Sequence, residues 1–147
     1  MPSKSLIHIL LADDEERLLD SMNYLFEMKG YKVTKTKSGI EALKIILAYH
    51  NEGNPVDLLI TDIQMAGMTG EELITAVRQF DPKLPVLVIT GFGYKELVIR
   101  LLRLGCSDYI DKPFGPSQIE EHVENLLHRL EKKKYKVNVS CTVRGEC

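Results

Sequence analysis

Five apolar runs of strand length alternate along this chain with segments whose apolar residues recur at helical spacing. That alternation restricts the fold more than any other feature. Strands separated by helix-length connections pair in parallel, and a parallel sheet needs helices over both faces. Right-handed crossovers cut the topologies to a few. The expected fold class is α/β: a (βα)5 doubly wound, three-layer sandwich around a parallel five-stranded sheet.

Strands are expected at residues 6–12, 31–36, 56–61, 85–90 and 108–111. The second alternates Tyr31, Val33 and Lys35 with Lys32, Thr34 and Thr36, the half-polar pattern of an edge strand guarded by lysines. The first helix should bury Leu18, Leu19, Met22, Leu25 and Phe26 and stop at Lys29-Gly30. Ser38 with Glu41, and Thr69 with Glu72, have capping-box spacing and open the second and third helices. Their expected stripes are Leu43, Ile46 and Leu47, then Leu73, Ile74, Val77 and Phe80. The fourth helix carries Leu97, Val98, Leu101 and Leu102 and ends at Gly105. The fifth opens at Pro116, where proline is tolerated, and turns Ile119, Val123, Leu126, Leu127 and Leu130 inward.

Composition bounds the rest. The 147 residues suit one domain, and a net charge of −2 gives no whole-chain attraction to nucleic acid or anionic membrane. The three cysteines, Cys106, Cys141 and Cys147, show no C-x-x-C spacing, so neither a disulfide framework nor a zinc site is expected. Only Lys4 precedes the first apolar run and four acids follow it, a poor signal peptide. No run approaches a membrane span. The sequence predicts a cytoplasmic protein.

Charged residues fall where strands should end. The first run leads into Asp13-Asp14-Glu15-Glu16, the third into Asp62, the fifth into Asp111-Lys112-Pro113. In an open parallel sheet the carboxyl ends of neighbouring strands share one crevice, where ligands bind. Carboxylates crowded there repel unless a cation neutralises them, and an oxygen-only set favours Mg²⁺, Mn²⁺ or Ca²⁺.

Taken in order, Ala12-Asp13-Asp14-Glu15, Leu59-Ile60-Thr61-Asp62-Ile63-Gln64-Met65, Gly67-Met68-Thr69-Gly70, Val88-Ile89-Thr90-Gly91 and Asp108-Tyr109-Ile110-Asp111-Lys112-Pro113-Phe114 give the chain a resemblance. It resembles the receiver (REC) domain of two-component response regulators, CheY-like, over residues 6 to about 131. The resemblance implies a flavodoxin-like sheet of strand order 2-1-3-4-5 and a receiver domain over residues 1–131. It implies Asp62 as phosphoryl acceptor, with Mg²⁺ (or Mn²⁺) held by Asp13, Asp14, Asp62 and the Gln64 backbone carbonyl. Thr90 corresponds to the hydroxyl that contacts the phosphoryl group, Lys112 to the family's ammonium, Tyr109 to its aromatic switch, and Lys112-Pro113 to a cis peptide. Partners implied are a sensor histidine kinase or phosphotransfer protein, and a downstream protein on the face of helix 4, strand 5 and helix 5. Ala66 departs from the family's usual proline.

The chemistry agrees with those roles. A carboxylate nucleophile forms an aspartyl phosphate, and positioning with electrostatics does most of the work of phosphoryl transfer. A lysine supplies a compact point charge. A threonine can donate to an oxygen present only after phosphorylation.

Singly, each residue has a plainer reading. Asp13-Asp14 can cap a helix, Asp57 can open a strand, Thr90 and Tyr109 suit strands, and Met65 and Met68 pack a loop. Cys106 reads as a small buried residue, and His8, His50, His122 and His128 show no partner pattern. The main alternative function is a metal-dependent aspartyl-phosphate phosphohydrolase resembling the haloacid dehalogenase family. Such enzymes use a second aspartate two residues after the nucleophile, where this chain has Gln64, which cannot transfer protons. An inert scaffold and a flavodoxin-like nucleotide binder fit less well, the latter for want of a phosphate-cradling glycine array. The expected protein is a signalling switch, not a turnover enzyme.

Residues 132–147 form a tail. Lys132-Lys133-Lys134 suits a solvated helix end. Beyond it Tyr135, Val137, Val139, Cys141 and Val143 alternate with polar residues. Two readings stay open: a disordered linker, or an extra strand on a sheet edge of the same or a neighbouring chain, the latter making a homodimer.

Overall fold

A computed structural model describes residues 6–91 and 95–129. Its strands are β1 (His8–Ala12), β2 (Lys32–Thr36), β3 (Leu58–Asp62), β4 (Val86–Thr90) and β5 (Asp108–Asp111). Its helices are α1 (Glu16–Met28), α2 (Gly39–Asn51), α3 (Gly70–Arg78) and α4 (Lys95–Leu104), followed by α5 at 116–129. The strands form one sheet of order β2-β1-β3-β4-β5, every neighbouring pair parallel. The expected α/β class, strand order and edge position of β2 all hold.

Alternate residues of each strand feed two cores. Leu10, Leu59, Val86 and Val88 face Ala42, Ile46, Leu73, Ile74, Val77 and Leu101 of α2, α3 and α4. Ile9, Leu11, Leu58, Ile60, Leu87 and Ile89 face Leu19, Met22 and Phe26 of α1 and Ile119, Val123, Leu126 and Leu127 of α5. Each fully buried aliphatic side chain contributes about 1.5–3 kcal/mol.

Local chemistry sets the element ends. Gly30, at φ +90°, terminates α1 in the left-handed region, as expected. At α3 both arms of the capping box are formed between Thr69 and Glu72. At α2 Ser38 Oγ accepts from Glu41 N at 3.1 Å, one arm of the expected box. Asp57 opens β3 as a clamp, its Oδ2 accepting from His8 N at 2.8 Å. Cys106 is buried, and Lys112-Pro113 is cis.

Two helical stripes differ from expectation. On α2 the buried residues are Gly39, Ala42 and Ile46, while Leu47 is 39% exposed. On α4 Leu101 is fully buried and Leu102 is 52% exposed. One residue turns a helix by roughly 100°, so the second residue of the Ile46-Leu47 and Leu101-Leu102 pairs leaves the contact face. Leu130, Phe92 and the tail, with both of its readings, lie outside the described residues.

Candidate functional site

The order β2-β1-β3-β4-β5 places the ends of β1 and β3 side by side, with Ala12 opposite Thr61. The next residues, Asp13 and Asp62, therefore share one crevice. Asp13 N donates to Thr36 O at 3.1 Å and Ile63 N to Ile89 O at 3.2 Å, tying both tips to the strands beside them. Lys112 N donates to Thr90 O at 2.8 Å. From there the flexible lysine stem reaches past β4 to the acids.

Lys112 Nζ lies 3.2 Å from Asp62 Oδ2, 3.3 Å from Glu15 Oε1 and 3.6 Å from Asp13 Oδ2. Asp13 Oδ1 accepts from Glu15 N at 2.8 Å, and Asp62 Oδ1 from Gln64 N at 3.3 Å. Asp13 Oδ2 is buried without a hydrogen bond; its 3.6 Å approach to Lys112 is an ion pair only. One carboxylate oxygen each from Asp13, Asp14 and Asp62 lie within 4.8 Å of one another. Asp13 and Asp62 are buried and Asp14 is exposed.

These surroundings shift both signs of charge. Burial pushes the Asp13 carboxyl up from 3.8 to about 6, and repulsion from Asp62 and Glu15 adds to it; the Glu15 N–H bond and Lys112 oppose the rise. Burial works against the Lys112 ammonium, but Asp13 and Asp62, with hydrogen bonds to Asp62 and Glu15, raise its pKa overall. One ammonium shared by three carboxylates leaves net negative charge. The orphaned Asp13 oxygen and this all-oxygen donor set fit a small hard divalent cation.

The wall behind Asp62 is backbone. Gly70 N donates to Ile63 O at 2.8 Å where α3 begins. A Cβ on Gly70 would run into the Asp62 carbonyl oxygen and sit 2.9 Å from Ile63 Cα. Only glycine lets the helix pass so close. Thr61 Oγ1 donates to Asp62 O at 2.9 Å on the same side.

The structure therefore brings Asp13, Asp14, Asp62 and Lys112 together. Thr90, buried at the tip of β4, pairs in register with Asp111 just before Lys112. Tyr109 lies half-buried against the core over α2, α3 and α4, opposite Val88. Ile99 and Leu102 are exposed on α4, beside the expected partner face.

Some contacts had no legible signal. Glu15 stands in the first motif with no expected role, yet it reaches Lys112 across 97 residues. His122, expected without a partner, sets Nδ1 2.6 Å from Asp108 Oδ2. Nothing in the spacing of either residue indicates the pair.

A doubly wound parallel sheet with an acidic crevice and one lysine at its carboxyl edge is the CheY-like arrangement. Residues 9–124 match the response regulator receiver domain. Response regulator SaeR of Staphylococcus aureus (strain USA300) is 33% identical over 125 residues, 85% of this chain and 52% of its own. A CheY-like response regulator receiver domain protein from Methanospirillum hungatei JF-1 superposes with a TM-score of 0.80 at 30% identity, covering 88% of this chain and 99% of that one. A receiver domain protein from Clostridium thermocellum gives 0.76 at 27% identity, covering 86% and 98%. The chain belongs to the response regulator receiver domain family of two-component systems. It spans about half the length of the SaeR sequences it matches. Among the described residues no helix is long and apolar enough to cross a membrane.

Proposed function

We propose that this chain is a phosphoacceptor switch that takes a phosphoryl group from a histidine kinase or phosphotransfer protein onto Asp62. The observation that carries the reading is the convergence of Asp13, Asp14 and Asp62 with Lys112 Nζ 3.2 Å from Asp62 Oδ2. One Asp62 oxygen attacks phosphorus as the bond to the donor nitrogen breaks, and that electron pair leaves with the imidazole. Lys112 moves from the carboxylate to the incoming phosphoryl oxygens as their charge spreads. Asp13, Asp14, Asp62 and the Gln64 carbonyl would hold Mg²⁺ or Mn²⁺, which would supply positive charge to offset the crowded oxygens.

Thr90 donates its hydroxyl to the new phosphoryl oxygens. Its displacement draws Tyr109 inward and alters the surface of α4, β5 and α5 for a downstream protein. A contact made only in the modified state is enough to shift the population. The chain works as a switch, with no turnover beyond its own transfer and hydrolysis. The receiver unit extends over residues 1–131.

The test is incubation with an acyl phosphate and Mg²⁺ followed by mass mapping. One phosphoryl group on Asp62 is expected, lost in Asp62→Asn and under chelation. Label retained by Asp62→Asn refutes the acceptor, and rapid multiple turnover of a phosphate ester refutes the switch.

A further inference from the structure

Glu15 occupies the N-cap position of α1, yet its side chain caps nothing. A short oxygen acceptor there would ordinarily take an N–H of the first turn. The glutamate instead extends to Lys112, 3.3 Å from its Nζ, while its own N–H is held by Asp13 Oδ1 at 2.8 Å. The Glu15 side chain is 59% exposed, against 8% for Asp62 and 0% for Asp13.

An ammonium has three donors. Here two are spent on Asp62 Oδ2 and Glu15 Oε1, at 3.2 and 3.3 Å, while the buried Asp13 Oδ2, at 3.6 Å, is an ion-pair neighbour only. An ammonium pinned between Asp62 and Glu15 follows an incoming phosphoryl group only when one of those two hydrogen bonds is released. Glu15 is the one that water can replace, because Asp62 is buried. We infer that Glu15 is a positioning residue that holds the Lys112 ammonium at the mouth of the crevice and releases it when a phosphoryl group arrives. This rests on the reading of Asp62 as acceptor; the hold on Lys112 does not.

Two measurements test it. The first needs no donor and no metal: side-chain NMR of Lys112 in wild type and Glu15→Gln. The Lys112 Cε and Nζ resonances should move, while amides away from the start of α1 and the β5–α5 loop stay in place. Unmoved Lys112 signals overturn the inference whether or not Asp62 is phosphorylated.

The second is the rate of phosphoryl uptake from acetyl phosphate. Glu15→Gln should take up label about three- to tenfold faster than wild type, most of all at low salt. In a Lys112→Ala background the same substitution should change the slow residual rate by less than about twofold, since no coupling remains. A full effect without Lys112 means simple repulsion of the donor, and the latch is wrong. Equal or slower uptake in the single variant also overturns it. Failure of wild type to take up label at all sinks the acceptor reading and leaves the NMR result to decide the latch.

Discussion

The Asp13 carboxylate keeps one oxygen fully buried and 3.6 Å from the Lys112 ammonium, too far for a hydrogen bond. Its charge is tolerated rather than welcomed among these neighbours, and a stability prediction follows. Unfolded, the group titrates near 3.8; folded, at about 6. Between those values the folded chain holds the extra proton, so stability falls as pH rises, by something on the order of 2–3 kcal/mol, and is level above. Asp13→Asn carries no such charge. In chelator it should melt above wild type, by about 3–8 °C at neutral pH, with the gap opening between pH 4 and 6. Added Mg²⁺ should stabilise wild type and not the variant. Thermal melts across pH, with and without metal, check both parts.

Gly70→Ala drives a methyl group into the backbone of Asp62 and Ile63. The expected cost is about 1–3 kcal/mol, with phosphoryl uptake reduced by about tenfold or more through displacement of the acceptor. Gly115→Ala is the control: its added atom lies 3.9 Å from Gln118 Oε1, an ordinary contact. It should stay within about 0.5 kcal/mol of wild type. Urea titrations and uptake rates of the two variants make the comparison.

Thr90→Ala removes a buried hydroxyl at the tip of β4 and leaves Asp62 and Lys112 in place. Uptake should persist at a rate reduced by no more than about a hundredfold, the scale of one polar contact to a developing charge. The phosphorylation-induced amide shifts around Tyr109 and α4 should shrink markedly. Wild-type shifts in the phosphorylated variant would remove Thr90 from the switch.

Arg78 fastens three segments far from the crevice. Its Nη1 donates to Asp81 O at 3.0 Å, and its Nη2 to Leu84 O at 2.8 Å and Gly105 O at 2.6 Å. Arg78→Met leaves those carbonyls to water and should cost about 1–3 kcal/mol. Arg78→Lys should recover less than half, because an ammonium lacks the planar fork. Chemical denaturation of the two variants measures the difference.

The sequence carried the frame of this fold because strand and helix periods are local. It carried Asp13, Asp14, Asp62 and Lys112 because parallel strands must end at one edge. Leu47 and Leu102 fall outside the buried stripes because each follows a buried residue on the same helix, and periodicity blurs at the margin of a stripe. The Arg78 clamp left no trace, since its partners are carbonyls that every residue possesses. Glu15 was hidden differently: it stands in an acidic run whose Asp13-Asp14 pair can itself cap a helix, and only the folded chain shows it turned toward Lys112.

The amide of Lys112 is tethered to the carbonyl of Thr90. The last two strands consequently share a hinge pin at the crevice, and neither tip can swing without loading the other. Under the proposed switch, a protein that gripped the outer edge of the sheet would have a mechanical lever on the acids, and whatever occupied the acids would pull back on that grip with equal coupling.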